Sequence, residues 1–207
     1  MKIKIIDSKI SNINSVKNII KWIGYEAEIV DNLKDISSDD KIIFPGIGNF
    51  GKAIDILKKK DLFIQIQDIV LNKKIPFLGI CLGMQLLMDG SEESGGVEGL
   101  SLISGSVKKF HFPNNDFKVP HIGWNSIHLK SSHHIFDNSI KDRSRYYFVH
   151  SYYADCKNNK NVLAKTNYGF DFDSIIFKDN LFGFQFHPEK SLKYGANLLK
   201  NFCEIKV

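Results

Sequence analysis

Short apolar runs alternate with helix-spaced apolar residues through the first part of the chain. Runs with the length of buried strands lie at 3–6, 27–30, 42–44 and 76–80. Between them, apolar residues recur at helical spacing, which predicts amphipathic helices over 13–23, 50–57 and 62–70. Strands that alternate with helices indicate an α/β fold, in which a mostly parallel sheet is covered by helices on both faces. In such a sheet, functional groups gather at the carboxyl ends of the strands.

The pattern changes after Gly95-Gly96. Short β-like runs at 107–110, 125–129, 146–152, 162–166, 174–177 and 181–186 are separated by turns rich in Asn, Asp and Gly. These runs predict an antiparallel C-terminal extension of the sheet, followed by a last helix with an apolar face over 198–205. Because no linker, repeat or low-complexity segment interrupts the chain, we expect residues 1–207 to form a single domain.

The composition is that of an ordinary globular protein, with 43% hydrophobic and 25% charged residues. The net charge of +5 comes from lysines scattered along the chain, so we predict no nucleic-acid partner. Charge interrupts the N-terminal alternation, unlike a signal peptide, and no apolar stretch approaches the ~20 residues that span a bilayer. The three cysteines form no CxxC pair, which favours a reducing compartment. We therefore predict a cytoplasmic protein that does not bind membranes.

One five-residue segment carries the strongest chemical signal. Gly79-Ile80-Cys81-Leu82-Gly83 follows an apolar strand and precedes a helical pattern over 84–88. A nucleophile flanked by glycines at such a position forms a nucleophile elbow, a tight turn that exposes the reactive side chain. A helix N-terminus there would favour the thiolate and offer N–H groups to a negative oxygen. Cys81 is therefore the candidate nucleophile, whereas Cys156 and Cys203 are expected to be inert.

A second segment supplies the partners that a cysteine nucleophile needs. Phe184-Gln185-Phe186-His187-Pro188-Glu189 lies far downstream, at the end of an apolar strand. A base must take the thiol proton and return it to the leaving group, and a third group must fix the orientation of the base. His187 and Glu189 have these chemistries. His133-His134 do not form a complete ligand set with a nearby carboxylate or thiol, so we expect no metal.

These segments resemble the class I, or triad, glutamine amidotransferases. Pro45-Gly46-Ile47-Gly48 is similar to the family's glycine loop after the third strand. Residues 120–125 (PHIGWN) and 148–152 (FVHSY) resemble segments of the HisH family, the glutaminase subunits of imidazole glycerol phosphate synthase. The resemblance covers nearly the whole chain, and it implies the three-layer class I glutaminase fold and a reaction without a cofactor.

The resemblance also implies a role for each matching residue. Cys81 would attack the side-chain carboxamide of L-glutamine, His187 would act as acid and base, and Glu189 would orient His187. The backbone N–H groups of the Ile47-Gly48 loop and of Leu82 would hold the oxyanion. The matching glutamine-binding residues are Gln85, Glu93, His150, Ser151 and Tyr152.

Glutaminases of this family work docked on a synthase that receives the ammonia, and the matching interface positions are Asn12, Trp124 and Lys190. In the loop after the first strand, residues 7–12 (DSKISN) lack the aromatic residue and the glycines that the family usually has. The loop faces the synthase in the family, so this departure concerns the partner and not the thiol chemistry.

Three functions remain possible at this point. The leading hypothesis is a glutaminase subunit that supplies ammonia for imidazole glycerol phosphate and AICAR in histidine biosynthesis. A related subunit could instead serve a sugar amidotransferase of surface polysaccharide synthesis. A stand-alone cysteine hydrolase of γ-glutamyl compounds or peptides would use the same triad without a partner. A binding subunit that kept the fold without catalysis is disfavoured by the complete triad.

Overall fold

The computed structural model describes residues 1–7, 13–113, 116–136 and 140–205. The helices are α1 (Ile13–Trp22), α2 (Phe50–Lys59), α3 (Leu62–Leu71), α4 (Leu82–Gln85) and α5 (Leu192–Glu204). The strands of the first half are β1 (Ile3–Ile6), β2 (Ala27–Val30), β3 (Lys41–Gly46), β4 (Phe77–Cys81) and β5 (Gly90–Ser91). Those of the second half are β6 (Gly105–Lys109), β7 (His121–Ser126), β8 (His128–Leu129), β9 (Arg145–His150), β10 (Tyr152–Cys156), β11 (Val162–Tyr168), β12 (Phe170–Lys178) and β13 (Leu181–Phe184).

The main sheet is parallel on one side and mostly antiparallel on the other. Strands β2, β1, β3, β4 and β13 lie side by side in this order and pair in parallel. From β13 the sheet continues through β12, β10, β6 and β5, while β11 pairs with β12 and β8 pairs with β11. These pairings are antiparallel, except that of β5 with β6. The parallel sheet and its antiparallel extension are therefore confirmed.

Helices cover both faces of this sheet because the side chains of a strand point alternately to its two sides. Ile42 and Phe44 pack in one apolar cluster with the buried residues of α2 and α3, whereas Ile43 packs in a second cluster with those of α1 and α5. Every residue of β1, β3 and β4 is buried, as expected for strands covered on both faces. The predicted three layers are present, and the single domain over 1–207 stays a prediction.

The helix expected after Cys81 is shorter than predicted. Helix α4 ends at Gln85, and the backbone carbonyl groups of residues 86–88 accept hydrogen bonds from the N–H groups of residues 100–103, at 2.8–3.1 Å. Those carbonyl groups therefore do not serve a continuing helix. The apolar residues of this segment are buried all round, so their spacing did not indicate where the helix stops.

Two predicted strands are broken in the structure. The run at 146–152 divides at Ser151, where the chain leaves β9, paired with β7, and enters β10 in the main sheet. The run at 125–129 breaks at Ile127, and its first strand begins earlier, at His121. The small β7–β9 sheet therefore lies at the point where the chain changes sheets.

Candidate active site

Three strand ends meet at the candidate site. Strands β3 and β4 are in register, with Gly46 opposite Cys81. On the other side of β4, the register of β13 ends with Phe184 opposite the residue before Cys81. The Ile47-Gly48 loop and the segment that begins at Gln185 therefore leave the sheet on either side of Cys81. The candidate residues therefore lie at the carboxyl ends of parallel strands, where the sequence analysis expects functional groups.

Cys81 lies in a sharp turn with a backbone conformation that residues other than glycine rarely adopt, with φ of 54° and ψ of −110°. The glycines around it leave no room for side chains. A Cβ at Gly79 would lie 2.5 Å from the carbonyl oxygen of Gly83, and a Cβ at Gly83 would collide with the carbonyl oxygen of Phe44. The turn is the nucleophile elbow that the sequence predicted. Because α4 has four residues, its dipole is weaker than the predicted longer helix would supply.

The other two triad candidates lie in the turn between β13 and α5. His187 Nδ1 is 2.7 Å from Glu189 Oε1, and the side chains of both residues are almost fully buried. Since an ionised carboxylate can only accept, Nδ1 carries the proton, and Nε2 faces away from Glu189. Nε2 makes no hydrogen bond within the described part of the chain, which leaves it available to a thiol or a substrate.

Ser191 holds this turn in place. Its hydroxyl donates to the carbonyl oxygen of His187 at 2.6 Å and accepts from the backbone N–H of Tyr147 at 3.0 Å. The backbone N–H of His187 also donates to the carbonyl oxygen of Tyr147, at 2.9 Å. These contacts fasten the His187–Glu189 turn to β9. Sequence reasoning missed Ser191, which follows directly after the HPEK segment.

The charges around His187 favour its protonated form. Burial by itself would lower the pKa of His187, but the charge of the Cys81 thiolate and the hydrogen bond to Glu189 outweigh it and raise the pKa to about 10. A thiolate paired with an imidazolium is the reactive form of a cysteine nucleophile.

The triad candidates Cys81 and His187 line one cavity of about 460 Å³. The structure brings most of the other predicted site residues to the same cavity: Ile47, Gly48, Leu82, Gln85, Glu93, His150, Ser151, Tyr152 and Lys190. Gly48 has a φ of +102°, a conformation that glycine adopts freely, and Leu82 begins α4, so its N–H has no partner within the helix. A cavity of this size suits a small molecule.

Two of the predicted glutamine-binding side chains also hold the pocket together. Gln85 is buried, and its amide nitrogen donates to the carbonyl oxygen of Tyr152 at 2.8 Å and to the side-chain oxygen of Gln185 at 3.1 Å. Glu93 accepts from the backbone N–H of Phe50 at 2.8 Å, so one of its oxygens serves the start of α2. Both side chains still line the cavity.

A pair of neutral histidines lies behind the pocket. His150 Nδ1 is 2.8 Å from the carbonyl oxygen of Tyr152, and His150 Nε2 is 3.0 Å from His121 Nδ1. Burial lowers the pKa of His150 to about 3 and that of His121 to about 4. Asn125 donates to His121 Nε2 and so completes the chain of hydrogen bonds. Sequence reasoning assigned no role to His121, although the PHIGWN motif contains both His121 and Asn125.

Two of the three predicted interface residues, Trp124 and Lys190, lie beside Tyr147. The rings of Trp124 and Tyr147 are 6.2 Å apart, and Lys190 Nζ lies 5.9 Å from the centre of the Tyr147 ring. Trp124 is 39% exposed, and Lys190 is exposed as well. Asn12, the third predicted interface residue, lies outside the described residues. Tyr147 therefore links the two predicted residues whose positions are described.

The described residues contain neither a cluster of metal ligands nor a helix that could span a membrane. Within 1–7, 13–113, 116–136 and 140–205, no three His, Cys, Asp or Glu side chains come together as a metal site. Among the helices in these ranges, none combines the length and the apolar character needed to cross a bilayer.

The fold is that of the class I glutamine amidotransferases. A crystal structure of a glutamine amidotransferase superimposes with a TM-score of 0.75, covering 99% of this chain and 98% of that one at 15% sequence identity. At this identity the likeness concerns the fold alone.

Sequence comparisons identify the family. The family model for glutamine amidotransferase class-I matches residues 4–205. The chain is 44% identical over 202 residues to the imidazole glycerol phosphate synthase subunit HisH 2 of Methanococcus maripaludis, with 98% of each chain covered. It is 38% identical over 205 residues to subunit HisH of Leptospira borgpetersenii, covering 98% of this chain and 100% of that one. The chain therefore belongs to the class I glutamine amidotransferase family, and its predicted resemblance to the HisH subunits is confirmed.

Proposed function

We propose that this chain is the glutaminase subunit of an imidazole glycerol phosphate synthase, hydrolysing L-glutamine to glutamate and ammonia. The observation that carries the proposal is that Cys81 and His187 line one pocket, while Glu189 lies within hydrogen-bond distance of His187. The names of the relatives favour this function over sugar amidation and over a stand-alone hydrolase. The cytoplasmic location stays a prediction, in keeping with three free cysteines.

The reaction would proceed through a thioester. The Cys81 thiolate attacks the carboxamide carbon, the C–N bond breaks, and the imidazolium of His187 gives its proton to the departing ammonia. Neutral His187 then takes a proton from water as the water attacks the glutamyl thioester, which releases glutamate and restores the thiolate–imidazolium pair. Glu189 keeps Nδ1 protonated throughout, so Nε2 performs both transfers.

Backbone donors would stabilise the oxyanion formed in each step. Leu82 follows the nucleophile directly, and the Ile47-Gly48 loop leaves β3 beside it. Losing one such donor typically costs about 3 kcal/mol of transition-state stabilisation. For glutamine itself, we assign recognition to Gln85, Glu93 and the 150–152 segment that line the cavity. The oxygen of Glu93 not bound to Phe50 would receive the substrate's ammonium group.

The synthase partner would dock over the mouth of this pocket. Apolar side chains are exposed there: Ile122 is 59% and Trp124 is 39% exposed on β7. Ile122 pairs with Val149, which lines the cavity, so the apolar surface is continuous with the site. Such a surface suits a protein partner. Ammonia would pass to this partner before it equilibrates with solvent.

The test separates glutamine hydrolysis from synthesis. With the cyclase subunit and its substrate present, Cys81→Ser should lower glutamine-dependent synthesis by roughly a thousandfold or more and leave synthesis from added ammonia intact. A glutamine analogue with an electrophile at the carboxamide position should label Cys81. The control variant Cys156→Ser should keep full labelling, because burial raises the pKa of the Cys156 thiol.

Other results would refute the proposal. Loss of the ammonia-driven reaction together with the glutamine-driven one would contradict the division of labour. Glutamate release that is equally fast without any partner would instead favour the stand-alone hydrolase.

A further inference from the structure

The Cys81 sulfur lies between one acceptor and one donor. Sγ is 4.0 Å from the backbone carbonyl oxygen of Val149 and 3.9 Å from the side-chain nitrogen of Gln185. A carbonyl oxygen can only accept, so the Val149 contact favours the protonated thiol. An amide N–H can only donate, so the Gln185 contact favours the thiolate. Both distances are long, as catalytic contacts often are before substrate binds.

A main-chain carbonyl group fixes the orientation of the Gln185 amide. The carbonyl oxygen of Tyr152 must accept, so the Gln85 atom 2.8 Å from it is the NH₂ nitrogen. That nitrogen also lies 3.1 Å from the side chain of Gln185, whose nearer atom is therefore the oxygen. The remaining group of Gln185, its NH₂, points at the sulfur. The donor and the acceptor of each hydrogen bond between Tyr152 and Cys81 are therefore determined.

Gln185 is held firmly enough to aim that donor. It is completely buried, and its backbone N–H donates to the carbonyl oxygen of Ser174 at 2.9 Å. It follows directly after β13, whose register with β4 places it beside Cys81. A buried amide with its oxygen already paired loses little freedom when its NH₂ meets a thiolate.

We propose that Gln185 is a positioning residue that holds the Cys81 sulfur as a thiolate aimed into the pocket. The inference rests on the proposed function, since it concerns the same nucleophile. His187 supplies the charge that pairs with the thiolate, and Gln185 supplies a neutral donor from another direction. Through Gln85, a side chain that lines the substrate cavity is connected to the nucleophile by two hydrogen bonds.

Several charged or titratable groups could also affect this thiol. They come from the turn after β13, the end of β9, the start of β10 and the loop after β5, and they are His187, Glu189, Lys190, His150, Tyr152 and Glu93. The variants below leave all of them in place, so a change in the titration of the thiol reports the missing amide.

The test is the pH profile of Cys81 alkylation by iodoacetamide in the isolated chain. In Gln185→Met, which keeps the volume but lacks the donor, alkylation at pH 7 should be about tenfold slower and its midpoint about one pH unit higher. Asn180→Leu is the matched control, because the buried amide of Asn180 lies before β13 and donates only to backbone carbonyl groups distant from the site. Its profile should equal that of the wild type.

A wild-type profile in Gln185→Met would overturn the inference but leave the proposed function standing. If wild-type Cys81 does not react near neutral pH, the proposed function itself fails. Should Gln185→Met not fold, Gln185→Leu and the side-chain amide resonances of Gln185 in the native protein decide. These resonances should shift as the Cys81 thiol titrates and stay fixed in Cys81→Ser, and their insensitivity to the thiol in the wild type would overturn the inference.

Discussion

Replacing Ser191 with alanine should loosen the turn that carries His187 and Glu189. The hydroxyl of Ser191 is fully buried and makes two hydrogen bonds. The carbonyl oxygen of His187 would keep its second donor, the N–H of Lys190 at 3.1 Å. The N–H of Tyr147 would lose its acceptor. One buried donor left unpaired costs about 1–3 kcal/mol of unfolding free energy.

Urea unfolding of Ser191→Ala measures this cost, and labelling of Cys81 by the glutamine analogue measures its effect on the site. We expect the free energy of unfolding to fall by about 1–3 kcal/mol. Labelling of Cys81 should be roughly tenfold slower, because a misplaced His187 stabilises the thiolate less well. Ser144→Ala is the matched control, since the buried Ser144 hydroxyl accepts from the nearby Lys141 N–H, away from the triad. Ser191→Thr keeps a hydroxyl and should restore part of both properties. A stability within about 0.5 kcal/mol of the wild type, with unchanged labelling, would refute the reasoning.

Two further predictions concern the elbow and the buried histidines. The Cβ of Gly79→Ala would lie 2.5–2.7 Å from backbone atoms of residues 83 and 84. The substitution should therefore lower the free energy of unfolding in urea by at least about 1–3 kcal/mol and slow the labelling of Cys81. A variant as stable and as reactive as the wild type would contradict this prediction. His121 and His150 are neutral when folded but bind protons in the unfolded chain below about pH 6.5. Each histidine should therefore lower the free energy of unfolding by up to about 1.4 kcal/mol per pH unit as the pH falls from about 6.5 towards 4. Unfolding curves of His121→Gln that keep the wild-type dependence on pH would contradict this prediction.

The order of strands and helices in the first half could be predicted because each of these elements buries apolar residues at regular spacing. Strands such as Ile3–Ile6 and Ala27–Val30 were predicted with the bounds that the structure has. Their apolar runs and the helical spacing between them are set by burial against the same sheet. The candidate nucleophile, base and orienting carboxylate could also be predicted, because glycine spacing and the His-Pro-Glu segment are local features of the sequence.

Contacts between distant segments could not be predicted in the same way. The residues after Gln85 have the composition of a helix, but their carbonyl groups accept hydrogen bonds from the N–H groups of residues 100–103. Likewise, Glu93 looks like a free carboxylate in the sequence, yet one of its oxygens binds the N–H of Phe50. Which polar group meets which partner depends on loops whose paths no spacing rule specifies.

The break at Ser151 determines which polar groups meet in the candidate site. In a continuous strand over 146–152, His150 and Tyr152 would lie on the same face and share one set of neighbours. Because the chain changes sheets at Ser151, the carbonyl oxygen of Tyr152 instead accepts from both His150 and Gln85. That one acceptor fixes the protonation of the histidine pair and the direction of the amide chain to Cys81. The polarity of the pocket is therefore determined by a backbone group, which composition and residue identity cannot indicate.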